Sequence, residues 1–182
     1  MALAYSTGMP VGSAVIDFSL PGVDGNTYSP ASFADAEVLV LVFTCNHCPY
    51  AVASEDRLIE LQTRFAPRVR FVLINPNDAF AYPEDSFKAM KVRADEKQFP
   101  FPYLRDESQN VARAYDAACT PDVFVFDRDR VLRYNGRIDD NWKDAAAVTR
   151  RDLETALTDL LAGREISIDA VPCMGCSIKW KP

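Results

Sequence analysis

The sequence holds one histidine, no cluster of Lys or Arg, no long apolar run and no repeated or low-complexity segment. Each absence removes a class of function. With His47 as the only imidazole and no Gly-x-Ser-x-Gly motif, a Ser-His-Asp hydrolase has no support. A net charge of −6, spread along the chain without a basic patch, argues against nucleic-acid binding. No apolar stretch approaches the ~20 residues of a membrane-spanning helix. Residues 1–8 carry neither the positive n-region nor the apolar h-region of a secretory signal. The expectation is a cytoplasmic protein with no nucleic-acid and no membrane partner. The five cysteines, Cys45, Cys48, Cys119, Cys173 and Cys176, are an odd number. That is a poor disulfide framework, and in a reducing compartment it favours catalytic or metal-binding thiols.

The 182 residues, 48% apolar and 25% charged, suit a single α/β domain over 1–182. Asp24-Gly25 between residues 15–20 and 26–28 reads as the turn of a short β-hairpin, giving an N-terminal hairpin extension over 1–30. Residues 30–33 fit one helical turn. The continuous apolar run over 37–43 reads as a strand buried on both faces of a partly parallel sheet, and 69–74 as a second. Helical spacing of Leu58, Leu61 and Phe65 predicts a helix from Cys48 to Phe65, and Pro83 opens another running to Ala94. A short extended piece at 103–104 precedes a helix that Ser108 caps, ending at Tyr115. Strands over 122–127 and 131–134 form a late hairpin. A final helix over 148–161 closes at Gly163, leaving a C-terminal tail over 163–182. The sheet is therefore mixed, with helices on its faces.

Chemistry concentrates in Phe43-Thr44-Cys45-Asn46-His47-Cys48-Pro49-Tyr50. A Cys-x-x-Cys between a strand and a helix reads as a thiol–disulfide redox site. Pro49 lacks an N–H and fits the first helical turn, which sets both thiols at the positive end of the helix dipole. A helix terminus contributes about 0.3–2 kcal/mol, enough to lower a thiol pKa by roughly one unit. The expectation is that Cys45 is the exposed, low-pKa attacking thiol and Cys48 the more buried resolving thiol. His47 would assist by N–H donation or positive charge.

Beyond these residues the pattern resembles the thioredoxin-fold redoxins, in particular a peroxiredoxin-like (AhpC/TSA-type) branch. The resemblance rests on Asp17-Phe18-Ser19-Leu20-Pro21-Gly22 with Asp24-Gly25, the Phe43–Tyr50 motif, Thr120-Pro121-Asp122, Gly136-Arg137-Ile138-Asp139-Asp140 and the tail Gly175-Cys176-Ser177-Ile178-Lys179-Trp180-Lys181. It implies a thioredoxin-like fold, thiol–disulfide chemistry at Cys45 and Cys48, and a cis-proline at Pro121. Thr120 and Pro121 would then bind the backbone of an extended substrate. Two positions depart from the family pattern. Leu39 stands where thioredoxins carry a buried acid, so proton transfer takes another route, with Asp122 one candidate. Cys45 stands where peroxiredoxins carry a Thr before the peroxidatic cysteine, and residues 118–121 bring no Arg.

The resemblance implies an oxidoreductase acting on protein or small-molecule disulfides, or on peroxides as an antioxidant thiol peroxidase. It needs no cofactor and is recharged by a reducing system such as thioredoxin or glutathione. Cys119 and Cys176 are candidate auxiliary thiols, the latter if the tail folds back, with inert packing as the alternative for each. A non-enzymatic zinc-binding or scaffold protein, with Cys173-Met174-Gly175-Cys176 as the second half of a four-cysteine site, is a further alternative. Zinc ribbons, however, place their pairs only about 15–20 residues apart. The oligomeric state is not encoded in any motif.

Overall fold

The computed structural model describes residues 2–182. Its centre is a five-stranded sheet in the order β6-β5-β4-β8-β9. Strand β4 (Val38–Phe43) pairs in parallel with β5 (Val69–Asn75), which pairs in parallel with β6 (Tyr103–Arg105). On its other side β4 pairs antiparallel with β8 (Asp122–Phe126), and β8 with β9 (Leu132–Asn135). All six residues of β4 are buried. The run is continuously apolar because successive side chains enter two different cores. Val38, Val40 and Val42 pack with Leu58 and Leu61 of helix α1 (Pro49–Phe65) and Leu153 and Leu157 of α4 (Asp152–Leu161). Leu39, Leu41 and Phe43 pack with Phe18, Phe33 and with Ala112 of α3 (Asn110–Ala114). Helix α2 (Phe87–Lys97) adds Met90 to the first core. No helix among the described residues is long and apolar enough to cross a membrane.

Helix α1 begins where Pro49 demands, with Cys48 as its N-cap, and stops before Pro67. Helix α2 starts later than expected. Residues Pro83–Asp85 form a separate 3₁₀ turn, and Ser86 then caps α2 by accepting the Ala89 N–H. Helix α3 covers Asn110–Ala114 only, with Gln109 in the left-handed region (φ +64°) as its N-cap in place of Ser108. Helix α4 begins at Asp152 rather than 148. The preceding segment is tied to a loop instead, since Asp140 accepts the Thr149 N–H and hydroxyl and donates its own N–H to Arg150 O.

The largest departures lie at the two ends. The N-terminal hairpin exists, but its ladder is only Leu20–Pro21 (β2) against Thr27–Tyr28 (β3). Residues 15–19 are not part of it, because Val15 instead donates its N–H to Arg130 O beside the β8–β9 turn. The chain start and the tail make a second small sheet, β1-β10-β7, that the sequence reading did not contain. There β10 (Met174–Ser177) lies between β1 (Leu3–Tyr5) and β7 (Cys119–Thr120) and is antiparallel to both.

Candidate active site

The parallel strands β4 and β5 set the site at their C-terminal ends. Thr44 continues the ladder by donating its N–H to Ile74 O, and Cys45, Asn46 and His47 then bridge to α1. The Asn46-His47 bridge is pinned from several sides. Asn46 gives its N–H to Asp85 Oδ1 (2.7 Å) and its side-chain amide to Glu84 O, and it accepts from Tyr103 Oη. His47 Nδ1 donates to Asp85 Oδ2 at 2.7 Å, and its ring stacks on Tyr82 at 5.1 Å between centroids.

An acid does stand near Cys45, but Asp85 comes from the 3₁₀ turn Pro83–Asp85 and not from β4. It is fully buried and also accepts from Asn75 Nδ2 (3.2 Å) and Asn77 Nδ2 (2.9 Å). Its carboxylate, a His47 ring nitrogen and Cys45 Sγ lie within 4.8 Å of one another. Such a donor set fits a metal ion by residue type, but Asp85 and His47 already satisfy each other as a hydrogen-bonded pair. His47 does not donate to a thiol as expected, because Nδ1 is taken by Asp85. Nε2, although buried, has no partner among the described residues. Asp122, the candidate acid from the sequence, is engaged elsewhere and accepts from Ser6 Oγ (2.6 Å), Asn135 Nδ2 and the Ala118 N–H. Burial pushes its carboxyl up to about 6.

The two thiols themselves meet surroundings that differ from those expected. Neither is exposed: Cys45 retains 2% of its surface and Cys48 none. Cys45 is pushed up, first by donating its hydrogen bond to Cys48, then by burial and by the nearby Asp85 carboxylate. Cys48 is lowered to about 5, first by accepting from Cys45 and, against the cost of burial, also by accepting from Cys176. The helix dipole favours a thiolate here, as the sequence implied. The neighbouring donors and the acid decide which sulfur carries it. In its thiol form Cys48 donates to Thr120 O at 3.0 Å, while Cys45 Sγ lies 3.3 Å from Thr120 Oγ1.

Pro121 follows a cis peptide bond and packs Thr120 against both thiols. The free edge expected there for a substrate backbone is closed. Strand β10 pairs with it, Cys176 opposite Thr120 and Ser177 opposite Cys119. The approach is close enough that a Cβ at Gly175 would lie 2.1 Å from Thr120 O. Cys45, Cys48, Ala51 and Cys176 form one buried cluster. Cys173 does not join it, since its thiol donates to Gly136 O at 2.9 Å, so the four-cysteine zinc arrangement is not assembled. Cys119, on strand β7, donates to Pro121 O. Burial raises both thiols. Arg137 and Asp139 are ion-paired with Asp152 and Arg57, respectively. Beside the site a cavity of about 230 Å³ is lined in part by Tyr50, Pro121, Ile138, Trp142, Pro172 and Met174.

A mixed sheet with a Cys-x-x-Cys at the start of α1 and a cis-proline loop against it defines a thiol-redox protein of the thioredoxin fold. Residues 11–135 match the model of the AhpC/TSA family, and the chain belongs to that family. Among solved structures it is similar to an uncharacterized conserved protein from Geobacillus kaustophilus (44% identity, 100% of this chain and 98% of that one, TM-score 0.95). It is also similar to a hypothetical protein from Sinorhizobium meliloti 1021 (38% identity, 97% and 98% covered, TM-score 0.92). The peroxidoxin BcpB from Mycobacterium tuberculosis shares the fold at 22% identity, with 86% and 99% covered and a TM-score of 0.66. No curated protein matches.

Proposed function

We propose that the protein is a thiol–disulfide oxidoreductase in which Cys48 is the attacking thiolate and Cys45 completes the disulfide. The observation that carries this reading is the placement of the two sulfurs: Cys48 is the N-cap of α1, where the helix dipole favours a thiolate, whereas Cys45 Sγ lies within 4.8 Å of the buried Asp85 carboxylate, which opposes one. Cys48 attacks a substrate disulfide, forms a mixed disulfide and releases one substrate thiolate. Cys45 then attacks Cys48 Sγ, its proton passes to the departing second thiolate, and Cys45–Cys48 is left oxidised with two electrons transferred. A cytoplasmic reductant, such as a thioredoxin or glutathione system, would reverse the oxidation. The closed β7 edge and the small cavity favour a low-molecular-weight disulfide over a protein chain.

The complete burial of Cys48 also favours a second reading, a thiol peroxidase. There the thiolate attacks a hydroperoxide, the alcohol leaves, and the resulting sulfenic acid condenses with Cys45, releasing water. Reduced protein, freed of reductant, can be mixed with glutathione disulfide or with cumene hydroperoxide and its thiols counted over time. Glutathione disulfide should take the count from five to three, Cys48→Ser should not react, and the faster oxidant decides between the readings. Full reactivity of Cys48→Ser would overturn both.

A further inference from the structure

The five thiols divide into two groups by what their sulfurs meet. Cys119 and Cys173 give their protons to main-chain carbonyls, of Pro121 and Gly136, in the core. Cys45, Cys48 and Cys176 meet one another. Cys176 reaches this place from the far end of the sequence because β10 is held on both sides, Cys176 opposite Leu3 on β1 and opposite Thr120 on β7. Gly175 permits the contact, since any side chain there would collide with Thr120 O. The Cys176 thiol is 3% exposed and packs in the same buried cluster as Cys45 and Cys48. Cys48 therefore has two thiols beside it, one from its own motif and one from the tail.

From this geometry we infer that Cys176 is a third redox-active cysteine, able to form a disulfide with Cys48 in place of Cys45. The inference rests on the dithiol reading above and adds a branch to it. From the Cys45–Cys48 disulfide, Cys176 loses its proton and attacks Cys48 Sγ. The Cys45–Cys48 bond breaks, a Cys48–Cys176 bond forms, and Cys45 leaves as a thiolate that takes up the proton. No net oxidation occurs. From a mixed disulfide at Cys48, attack by Cys176 expels the substrate thiol in the same way that attack by Cys45 would. The timing is set by charge. While Cys48 is a thiolate, burial and that neighbouring negative charge hold Cys176 at about 12. Once Cys48 enters a disulfide that negative charge is gone, and the nearby Lys179 ammonium favours the Cys176 thiolate. A Cys48–Cys176 bond would fasten β10 across the Thr120–Pro121 loop and leave Cys45 reduced. The tail would then be a covalent clamp on the oxidised site.

The test oxidises wild type, Cys45→Ser, Cys176→Ser and the double variant with one equivalent of glutathione disulfide. Free thiols are then blocked with N-ethylmaleimide and the peptides mapped. Cys45→Ser should lose two thiols and retain no glutathione, with the peptide bearing Cys48 cross-linked through Cys176. The double variant should retain one glutathione on Cys48. Retention of glutathione on Cys48 in Cys45→Ser, or a cross-link through Cys173, would overturn the inference. Cys176→Ser reports on the underlying reading separately: without a Cys45–Cys48 disulfide there, the dithiol reading itself fails. Wild type at equilibrium should also contain the Cys48–Cys176 peptide, so the result does not depend on a variant folding. Its absence there, too, counts against the inference.

Discussion

Replacing Asp85 by Asn keeps the shape of the side chain and removes one of its two acceptor oxygens. In the structure Oδ1 serves the Asn46 N–H and Asn75 Nδ2, while Oδ2 serves His47 Nδ1 and Asn77 Nδ2. An amide can satisfy one of these pairs and must turn its own N–H groups toward the other. Two buried donors are left unpaired at about 1–3 kcal/mol each, a loss of about 2–6 kcal/mol. Against a domain stability of about 5–15 kcal/mol this is a large share. Urea denaturation followed by circular dichroism should show it as a fall in midpoint of about 1–3 M for a slope of about 2 kcal/mol/M. The exposed neighbour Glu84, changed to Gln, should stay within about 0.5 kcal/mol of wild type. The same substitution removes a negative charge that raises Cys45, so Cys45 alkylation should begin at lower pH than in wild type. An Asp85→Asn protein within about 1 kcal/mol of wild type, with an unchanged Cys45 alkylation profile, would refute the role given to this acid.

Three further outcomes follow from the same structure. Thiolate absorbance at 240 nm should rise through a step near pH 5, vanish in Cys48→Ser and move upward in Cys45→Ala; a step that survives in Cys48→Ser would reassign the thiolate. Asp122 has its folded pKa raised from 3.8 to about 6, so the stability it contributes is fully present below pH 3.8 and lost as pH rises through 6. Relative to Asp122→Asn, wild type should therefore gain about 1.4 kcal/mol between pH 7.5 and pH 5, and an equal pH response of the two proteins would contradict this. Gly175→Ala must push β10 away from Thr120 O, and loss of the two paired positions should cost about 1–3 kcal/mol and speed alkylation of Cys48 by iodoacetamide. Wild-type stability and reactivity in that variant would show that the contact yields freely.

Much of the frame could be read from local pattern because local pattern caused it. The Val38–Phe43 run is apolar at every position because both faces are covered, and Pro49 fixes the start of α1 regardless of context. Asp85 was invisible for the opposite reason. In sequence it is one acid in Pro-Glu-Asp at a helix start, and only the fold turns it inward toward a histidine 38 residues away. Strands β1 and β10 are only three and four residues long, and β10 carries Gly and Cys in place of an alternating apolar pattern, so pairing across the whole chain is their only signal. The surroundings of the two thiols were only partly legible for the same reason. The helix dipole and the interaction between the two sulfurs are local, whereas Asp85, which adds to the rise of Cys45, and Cys176, which adds to the lowering of Cys48, come from distant segments.

The pairing of Leu3 with Cys176 also has a meaning in time. A ribosome making about 5–20 residues per second releases Cys45 and Cys48 on the order of ten seconds before Cys176. Throughout that interval β1 lacks its partner, and the Thr120–Pro121 edge is bare once it has been made. Cys176 is the last of the five thiols to emerge, and the newborn protein keeps an open groove beside Cys45 and Cys48 until the final strand slots into place.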